Sequence, residues 1–341
     1  MNREIRMVSN PGDLNANWDY LAKWFYQKKE FLTFLHNYNF CDQYYYELYK
    51  DDRFVAGTIV YPFKTNILTF SRFRLFLKMK IVGMPISIAT VPLIGEDSEF
   101  EYLLAEILKR EKGLILGLNF TSRYLETKVI NMRTLPTIVI FKSFDNYGEY
   151  LKELRHPYRR RIFRFGEKFQ NVQTRITSCA SFNEVHYKLY LDVMDKTRTK
   201  LETLSLMLFK NLPDNFILTT HYWNDTMLAW HICTCDRQTI FFFMGGMNYK
   251  FRDRFQSYQN NLISIINYSY TNNFRRIDLG QTAEIAKMRM GGIEDERWLF
   301  LYHKNNFFLF FFSLFKRFLE YSTVQHKLHV FKKHQQELPA I

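Results

Sequence analysis

The sequence predicts an α/β (α+β) fold in which mixed, mostly antiparallel sheets are flanked by helices. Short segments with alternating or continuous apolar character, typical of strands, are separated by segments in which apolar residues recur at three-to-four spacing, typical of helices. The 341 residues are 47% hydrophobic and 18% aromatic, which favours a large buried core and argues against disorder.

The first part of the chain is predicted to begin with a helix and to continue mainly with strands. Residues 14–40 show helical spacing of apolar side chains. Strands at 44–49 and 54–61 are predicted to pair as a hairpin. A helix at 99–110 and a strand at 114–118 complete this part.

Residues 71–80 alternate between apolar and basic side chains, which predicts a strand with one basic face. The apolar positions are Phe73, Leu75, Leu77 and Met79, and the basic positions are Arg72, Arg74, Lys78 and Lys80. The basic face is either solvated or a contact surface for an acidic carrier protein or lipid headgroups.

A basic helix follows a predicted strand at 137–141 and a first helix capped by Asp145. Pro157 suits the first position of a helix, and four arginines follow it at once: Arg159, Arg160, Arg161 and Arg164. Free N–H groups at a helix start and forked guanidinium donors both favour anions. This helix is therefore either an anion site or a solvated basic face.

Residues 241–292 give the most informative pattern of the chain. An apolar strand at 241–246 ends in a glycine pair, and a helix at 258–270, predicted to be capped by Ser257, follows. A short strand at 277–279 ends at Gly280. A last helix is predicted to begin at Thr282 and to stop at Gly291-Gly292.

These segments together resemble the GNAT acyltransferase superfamily, and more closely its double-GNAT branch of peptidoglycan-bridge (Fem-like) transferases. The matching motifs are the basic helix at 158–164, the strand ending Phe243-Met244-Gly245-Gly246, and Asp278-Leu279-Gly280 with Lys287, Met290 and Gly291. The resemblance implies a GNAT-like half at 1–135, a GNAT-like acyltransferase half at 136–321 and a basic tail at 322–341. The first half matches only in the order of its strands and helices.

The resemblance also implies a site. The acyl donor would lie along the backbone of Phe243, Met244, Gly245 and Gly246, where one N–H polarises the acyl carbonyl. Tyr258 and Asn260, which open the following helix, would face the donor's phosphate, with Arg160 and Lys287 as further contacts. Asp278 would orient the attacking amine or act as the base, or alternatively would only pair with Lys287.

The sequence departs from the GNAT pattern at the pyrophosphate loop. Where that family has Q/R-x-x-G-x-G/A, this chain reads R-F-Q-S-Y-Q-N-N. The resemblance implies that the donor is acyl-CoA or an acyl-phosphopantetheine carrier. The carrier has a single phosphate, so it needs fewer backbone N–H groups to bind it.

His231 shares a strand face with Cys233 and Cys235. Alternate side chains on a strand lie about 6–7 Å apart, which is awkward for one tetrahedral zinc ion, so no metal site is expected. His231 remains either a core residue or a substrate-facing base.

Charge and cysteine content set the expected surroundings. Lys and Arg number 47 against 34 Asp and Glu, a net charge of +13, which favours anionic partners. Four cysteines without framework spacing suggest a cytoplasmic, reducing environment. The run F-F-L-F-F-F-S-L-F at 307–315 is predicted to be a core helix; the alternative is peripheral contact with an acidic membrane through this run and its neighbouring lysines.

The function expected from these patterns is an N-acyltransferase that moves an acyl group from a thioester to an amine of a small metabolite or cell-envelope precursor. One alternative is a Fem-like transferase that uses aminoacyl-tRNA, although the long charged helical hairpin usual in that family is not seen in the sequence. The other is a catalytically inactive binding module.

Overall fold

The computed structural model describes residues 2–39, 41–86, 88–197, 202–322 and 328–332. The strands formed by these residues are β1 (Arg3–Val8), β2 (Tyr44–Lys50), β3 (Arg53–Asn66), β4 (Phe76–Val82), β5 (Leu93–Gly95), β6 (Ile115–Phe120), β7 (Ile130–Phe141), β8 (Gln173–Ser178), β9 (Phe216–Trp223), β10 (Thr226–Asp236), β11 (Thr239–Met247), β12 (Arg276–Asp278) and β13 (Ile293–Tyr302). The α-helices are α1 (Trp18–Leu21), α2 (Lys29–Tyr38), α3 (Phe100–Arg110), α4 (Tyr147–Glu153), α5 (His156–Glu167), α6 (Glu184–Lys196), α7 (Leu206–Lys210), α8 (Arg252–Phe255), α9 (Ser257–Thr271), α10 (Glu284–Met288), α11 (Asn306–Leu314) and α12 (Lys316–Leu319).

The chain divides into two compact units. Unit 1 consists of Met1–Leu135, Arg198–Leu204 and Glu296–Thr323, and unit 2 consists of Pro136–Thr197, Ser205–Asp295 and Val324–Ile341. Each unit is thus built from discontinuous pieces, and 296–321, predicted as part of the second half, falls in unit 1. Much of the predicted basic tail, 323–327 and 333–341, lies outside the described residues.

The sheet of unit 1 is mostly antiparallel. Its order is β1-β2-β3-β4-β6-β13, with β5 paired to β3. β2 and β3 form the predicted hairpin, and its turn uses Asp51 and Asp52 at positive φ, a conformation that Asp tolerates well. β4 and β6 pair in parallel, with α3 in the connection between them.

The sheet of unit 2 repeats that plan. β8, β9, β10 and β11 are antiparallel neighbours, β12 pairs in parallel with β11, and β7 pairs antiparallel with β12. α9 makes the crossover between β11 and β12. Its apolar stripe, Leu262, Ile265 and Ile266, is buried in the core of the unit.

The predicted fold class is confirmed. Each unit contains a mixed, mostly antiparallel sheet with flanking helices, and each contains one parallel strand pair joined through a helix. Among the described residues, no helix combines the length and apolar character needed to cross a bilayer.

Two predictions in the first part were wrong in detail. Residues 14–40 do not form one helix: α1 and α2 are separated by a short 3-10 helix at Phe25–Gln27 and its flanking extended residues. The predicted strand at 71–80 begins only at Phe76; its first residues form a turn in which the Asn66 side chain accepts the Leu75 N–H.

Three predicted caps were also wrong. Asn146, not Asp145, caps α4 by accepting the Glu149 N–H. Ser257 lies inside α9, and the preceding Gln256 adopts a left-handed conformation instead of capping through its side chain. Thr282 does not cap α10, because that helix begins at Glu284 after two residues with positive φ.

Candidate active site

In unit 2, the neighbouring strands β11 and β12 pair only at their first residues and then separate. Only three residue pairs join the two parallel strands, the last being Phe241 opposite Asp278. Beyond this pair no described strand covers the same edge of residues 242–247, whose side chains are mostly half-buried. An extended ligand with amide groups can pair with such an edge as an additional strand would.

A β-bulge lies at the start of the open edge. Met244 is opposite Ile232 and Phe242 is opposite Cys233, so Phe243 is an extra residue in β11. A bulge locally disrupts the ladder and redirects the strand. The bulge lies two residues before Gly245.

The glycine pair has a packing explanation within unit 2. A Cβ on Gly246 would lie 2.3 Å from Nε1 of Trp230. This indole is fully buried and donates to the carbonyl of His186 at 2.9 Å. Gly246 is therefore required by the close approach of Trp230, independently of any ligand.

The loop that leaves β12 is strained. Gly280, Thr282 and Ala283 have φ values of 68°, 64° and 52°. The left-handed region suits glycine but is unfavourable for a β-branched residue such as Thr282. Both Thr282 and Ala283 are exposed, and strain of this kind is common at functional loops.

The side chains of Asp278 and Lys287 form hydrogen bonds with the backbone of this loop. One carboxylate oxygen of Asp278 accepts the Gly280 N–H at 2.9 Å, and the other pairs with Arg276 at 3.1 Å. The Lys287 amine donates to the carbonyls of Gly280 at 3.0 Å and Gln281 at 2.6 Å. Both residues thus act on the loop's backbone, and the carboxylate of Asp278 is occupied by these two partners.

Lys287 is buried, with 1% of its surface exposed. Burial lowers the pKa of its amine from the usual 10.5 to about 7, an effect that the negative charges of Asp278 and Glu284 partly oppose. A lysine with this pKa is a mixture of charged and neutral forms near neutral pH.

The start of α9 is covered rather than open. The Asn260 side chain donates to the carbonyls of Phe255 and Phe165 at 2.9 and 3.0 Å, and so ties α9 to the end of α5. Tyr258 packs against the core of the unit, and burial raises the pKa of its hydroxyl. The predicted phosphate contacts of Tyr258 and Asn260 stay predictions, and the amide of Asn260 already has two partners.

The predicted basic helix, α5, presents an exposed cationic surface. Arg160, Arg161 and Arg164 are exposed and form no ion pair with the described residues, whereas Arg159 donates to the Lys152 carbonyl. A depression of 490 Å³ on this helix is lined by His156, Arg159, Arg160, Phe163, Arg164 and Glu167. Glu167 is the one acidic group in that set.

The structure gives no support to His231 as a substrate-facing base. Its ring is buried between β10 and α9, 3.4 Å from the Asn261 side chain and in ring contact with His221. Burial, and secondarily the neighbouring His221, lower the pKa of His231 to about 3, so it is a weak base. Within the described residues, no group of three or more His, Cys, Asp or Glu side chains is placed to hold a metal ion.

Two features of the site were missed from the sequence. Arg276 pairs with Asp278 and with Asp295 at 3.2 Å; the Arg-x-Asp spacing, which puts both side chains on one strand face, was an available signal. The strain at Thr282 and Ala283 had no signal, since neither residue type favours positive φ.

Comparison with known proteins identifies the fold. No protein-family profile matches the sequence, and no curated protein is significantly similar to it. A solved structure of the C-terminal domain (DUF2156) of a protein assigned as a lysylphosphatidylglycerol synthetase from Agrobacterium fabrum is similar, with TM-score 0.51 and 9% identity, covering 77% of this chain and 84% of that chain. The structure of L-PGS from Bacillus licheniformis has TM-score 0.51 and 11% identity, covering 84% of this chain and 91% of that chain.

FemX is also similar, with TM-score 0.48 and 11% identity, covering 81% of this chain and 90% of that chain. At these identities the likeness extends to the fold alone. The fold is GNAT-like, as the sequence resemblance predicted.

Proposed function

We propose that this protein is an N-acyltransferase and that its acyl donor binds along the open edge of β11. The observation that carries the proposal is the separation of β11 from β12 after three residue pairs, with a bulge at Phe243 where the separation begins. A strand edge without a partner offers backbone donors and acceptors in a row, which suits the amide groups of a pantetheine-like arm or an aminoacyl group.

The proposed reaction needs few catalytic groups. The amine of the acceptor attacks the acyl carbonyl, and a C–N bond forms as the C–S or C–O bond to the donor breaks. The leaving thiolate or alkoxide takes up the proton that the attacking nitrogen loses. A backbone N–H at the Phe243 bulge would donate to the carbonyl oxygen as it gains negative charge, and one such donor typically contributes about 10²–10³ in rate. Asp278 and Lys287 serve as positioning residues, since their polar atoms bind the backbone of the loop at Gly280 and Gln281.

The electrostatics favour a donor that carries phosphate away from the start of α9. Asn260 and the end of α5 cover that helix start, whereas Arg160, Arg161 and Arg164 are exposed nearby on α5. Guanidinium groups bind phosphate through paired N–H donors. We therefore assign the donor's phosphate to α5 and favour an acyl-phosphopantetheine carrier over free acyl-CoA.

The test uses the full-length protein and three donors: acyl-CoA, acyl carrier protein loaded with the same acyl group, and aminoacyl-tRNA. Thermal unfolding measures donor binding, and release of the acyl group to a mixture of amino acids and amino sugars measures transfer. The double variant Arg160→Gln/Arg164→Gln should weaken donor binding about tenfold at low salt, whereas Arg175→Gln, an exposed arginine of β8, should not. The proposal is rejected if no donor stabilises the protein and none loses its acyl group.

Aminoacyl-tRNA transfer is the second candidate, and one observation favours it. The exposed arginines of α5 suit the phosphate backbone of a nucleic acid as well as they suit a single phosphate. One of the similar structures is also named for a lysylphosphatidylglycerol synthetase. Stabilisation by aminoacyl-tRNA alone, fading steeply as salt is raised, would select this candidate over the first.

A further inference from the structure

Unit 1 exposes an unusual concentration of aromatic side chains. Ten of the eighteen large hydrophobic residues that are exposed in the described part of the chain lie in just two segments. One segment is α11 with α12, which exposes Phe307, Phe308, Phe310, Phe311, Leu314, Phe315 and Phe318. The other is the turn between β3 and β4 with the first residue of β4, which exposes Phe73, Leu75 and Phe76. We call the two together the aromatic surface.

This finding overturns the predicted core helix at 307–315. Phe307 and Phe310 are 70% and 63% exposed, and of the phenylalanines in α11 only Phe312, at 8%, is buried. Phe312 and Leu319 attach the two helices to a core cluster that contains Tyr61, Met79 and Leu301. The remaining aromatic rings of α11 extend away from that cluster.

The two segments belong to one surface of unit 1. Ile67, Leu68 and Leu77, which flank the exposed turn, pack on the same core cluster as Phe312 and Leu319. Phe70 of the turn also contacts Tyr321, just after α12, with ring centroids 5.5 Å apart. The shared cluster and this ring contact bring the turn next to the end of α12.

The charge of the aromatic surface is of one sign. Neither 66–80 nor 302–319 contains an aspartate or glutamate. The exposed cations of these segments are Arg72, Arg74, Lys78, Lys304, Lys316 and Arg317, and none of them forms an ion pair with a described residue. Apolar rings bordered by unpaired cations are the pattern of a helix that lies in the interface of an anionic membrane.

We propose that the aromatic surface docks unit 1 onto an anionic lipid bilayer. With nine residues, α11 is about 14 Å long, less than half of the roughly 30 Å hydrocarbon thickness, so it lies in the interface and does not span it. Its phenylalanines enter the acyl region, while Lys316, Arg317 and the arginines of the turn bind lipid headgroups. A second copy of this chain is a poorer occupant, because it would bring two basic surfaces together.

The proposal is independent of the acyl-transfer proposal, since every residue of the aromatic surface belongs to unit 1 and the β11 site belongs to unit 2. It concerns where the protein works, not what it transfers.

The experiment is flotation of the full-length protein with vesicles. One set contains only phosphatidylcholine, and the other contains phosphatidylcholine and phosphatidylglycerol at a molar ratio of seven to three. We expect binding to the anionic vesicles that falls as salt is raised, and little binding to the neutral ones.

Two double variants test the two components of the surface. Phe307→Gln/Phe310→Gln should lower the partition coefficient about tenfold or more, because two rings no longer enter the bilayer. Lys316→Gln/Arg317→Gln should lower it about tenfold on anionic vesicles and leave the weak binding to neutral vesicles unchanged. All four side chains are exposed, so these variants should fold normally.

Matched controls remove equivalent groups elsewhere on unit 1. Met7→Gln/Tyr20→Gln removes two exposed apolar side chains, and Lys112→Gln/Lys128→Gln removes two exposed charges; neither should alter vesicle binding. The proposal is overturned if the wild type does not float with anionic vesicles, or if the surface variants and the controls lose binding equally. A different outcome would be a wild-type protein that does not bind vesicles but forms dimers, which Phe307→Gln/Phe310→Gln converts to monomers. That result would show that a second copy covers the surface.

Discussion

The buried amine of Lys287 should make the stability of unit 2 depend on pH in a window that few other groups share. Its folded pKa of about 7 lies below the usual 10.5, because burial disfavours the charged form. Between these two values the unfolded chain therefore binds more protons at this site than the folded protein does. The free energy of unfolding consequently rises with pH from about 7 towards 10.5.

The size of the effect follows from the two pKa values. Integrating the proton linkage from pH 7.0 to pH 8.5 gives a gain of about 1–2 kcal/mol for this single group. The buried histidines, whose pKa values are lowered, titrate below this window. The thiols with raised pKa values begin to lower stability above about pH 8, where unfolded thiols start to ionise. Burial raises the pKa of Glu202 to about 7, so this carboxyl also titrates in the window. Both effects are common to the wild type and to a variant at position 287.

The assay compares urea unfolding of the wild type and of Lys287→Met at pH 7.0 and pH 8.5. Methionine removes the titrating amine but also leaves the Gly280 and Gln281 carbonyls without their donor, which costs about 1–3 kcal/mol at both pH values. Only the wild type should therefore gain stability between the two pH values beyond the common background. Lys112→Met, at an exposed lysine, is the control and should follow the wild type. Parallel behaviour of wild type and Lys287→Met across the window would refute the buried, pKa-lowered amine.

Two further predictions concern backbone conformation in unit 2. Gly246→Ala should destabilise the protein by about 1–3 kcal/mol, because the added Cβ meets the Trp230 indole at 2.3 Å; Gly166→Ala, whose Cβ meets nothing within 4 Å in α5, should instead stabilise by about 0.5–1 kcal/mol in the same thermal and urea unfolding measurements. Thr282→Gly should relieve the positive φ and stabilise by about 1 kcal/mol, and an unchanged or lower midpoint would mean that Thr282 is not strained in solution.

Local patterns predicted the elements whose partners are near in sequence or whose burial is one-sided. The hairpin of β2 and β3 was predictable because two apolar segments flank a turn that contains Asp51 and Asp52, residues suited to that turn. α9 was predictable because Leu262, Ile265 and Ile266 form one stripe, and a single stripe needs a single buried face.

The prediction that α11 is a core helix was wrong because it rested on composition, which indicates only how such segments are usually buried. A helix that is apolar on all sides is usually buried, but burial requires neighbours on all sides. In unit 1 the described neighbours of α11 cover little beyond Phe312. Nothing in residues 307–315 encodes how many neighbours the fold supplies.

The sequence proposed a location for the site, which stays a prediction, but it gave no sign of the energetics of the residues there. The segment containing Asp278 and Lys287 was recognised as a unit, yet lysine is almost never fully buried, so the burial of Lys287 could not be expected from its residue type. Whether Asp278 acts chemically stays a prediction; what the structure adds is that its two oxygens already bind the Gly280 N–H and Arg276.

The open edge of β11 follows from where the backbone after β12 makes its hydrogen bonds. The Leu279 N–H donates to Ile138, and the Ile138 N–H donates in turn to Gly280, so this segment continues along β7. Asp278 accepts the Gly280 N–H, and Lys287 donates to the Gly280 carbonyl. The Leu279 N–H and both backbone groups of Gly280 thus have hydrogen-bond partners that do not belong to β11. The loop therefore does not need to pair with β11 to satisfy its backbone. Under the proposed function, Asp278 and Lys287 act without touching a substrate, because the contacts that they make keep the edge of β11 free.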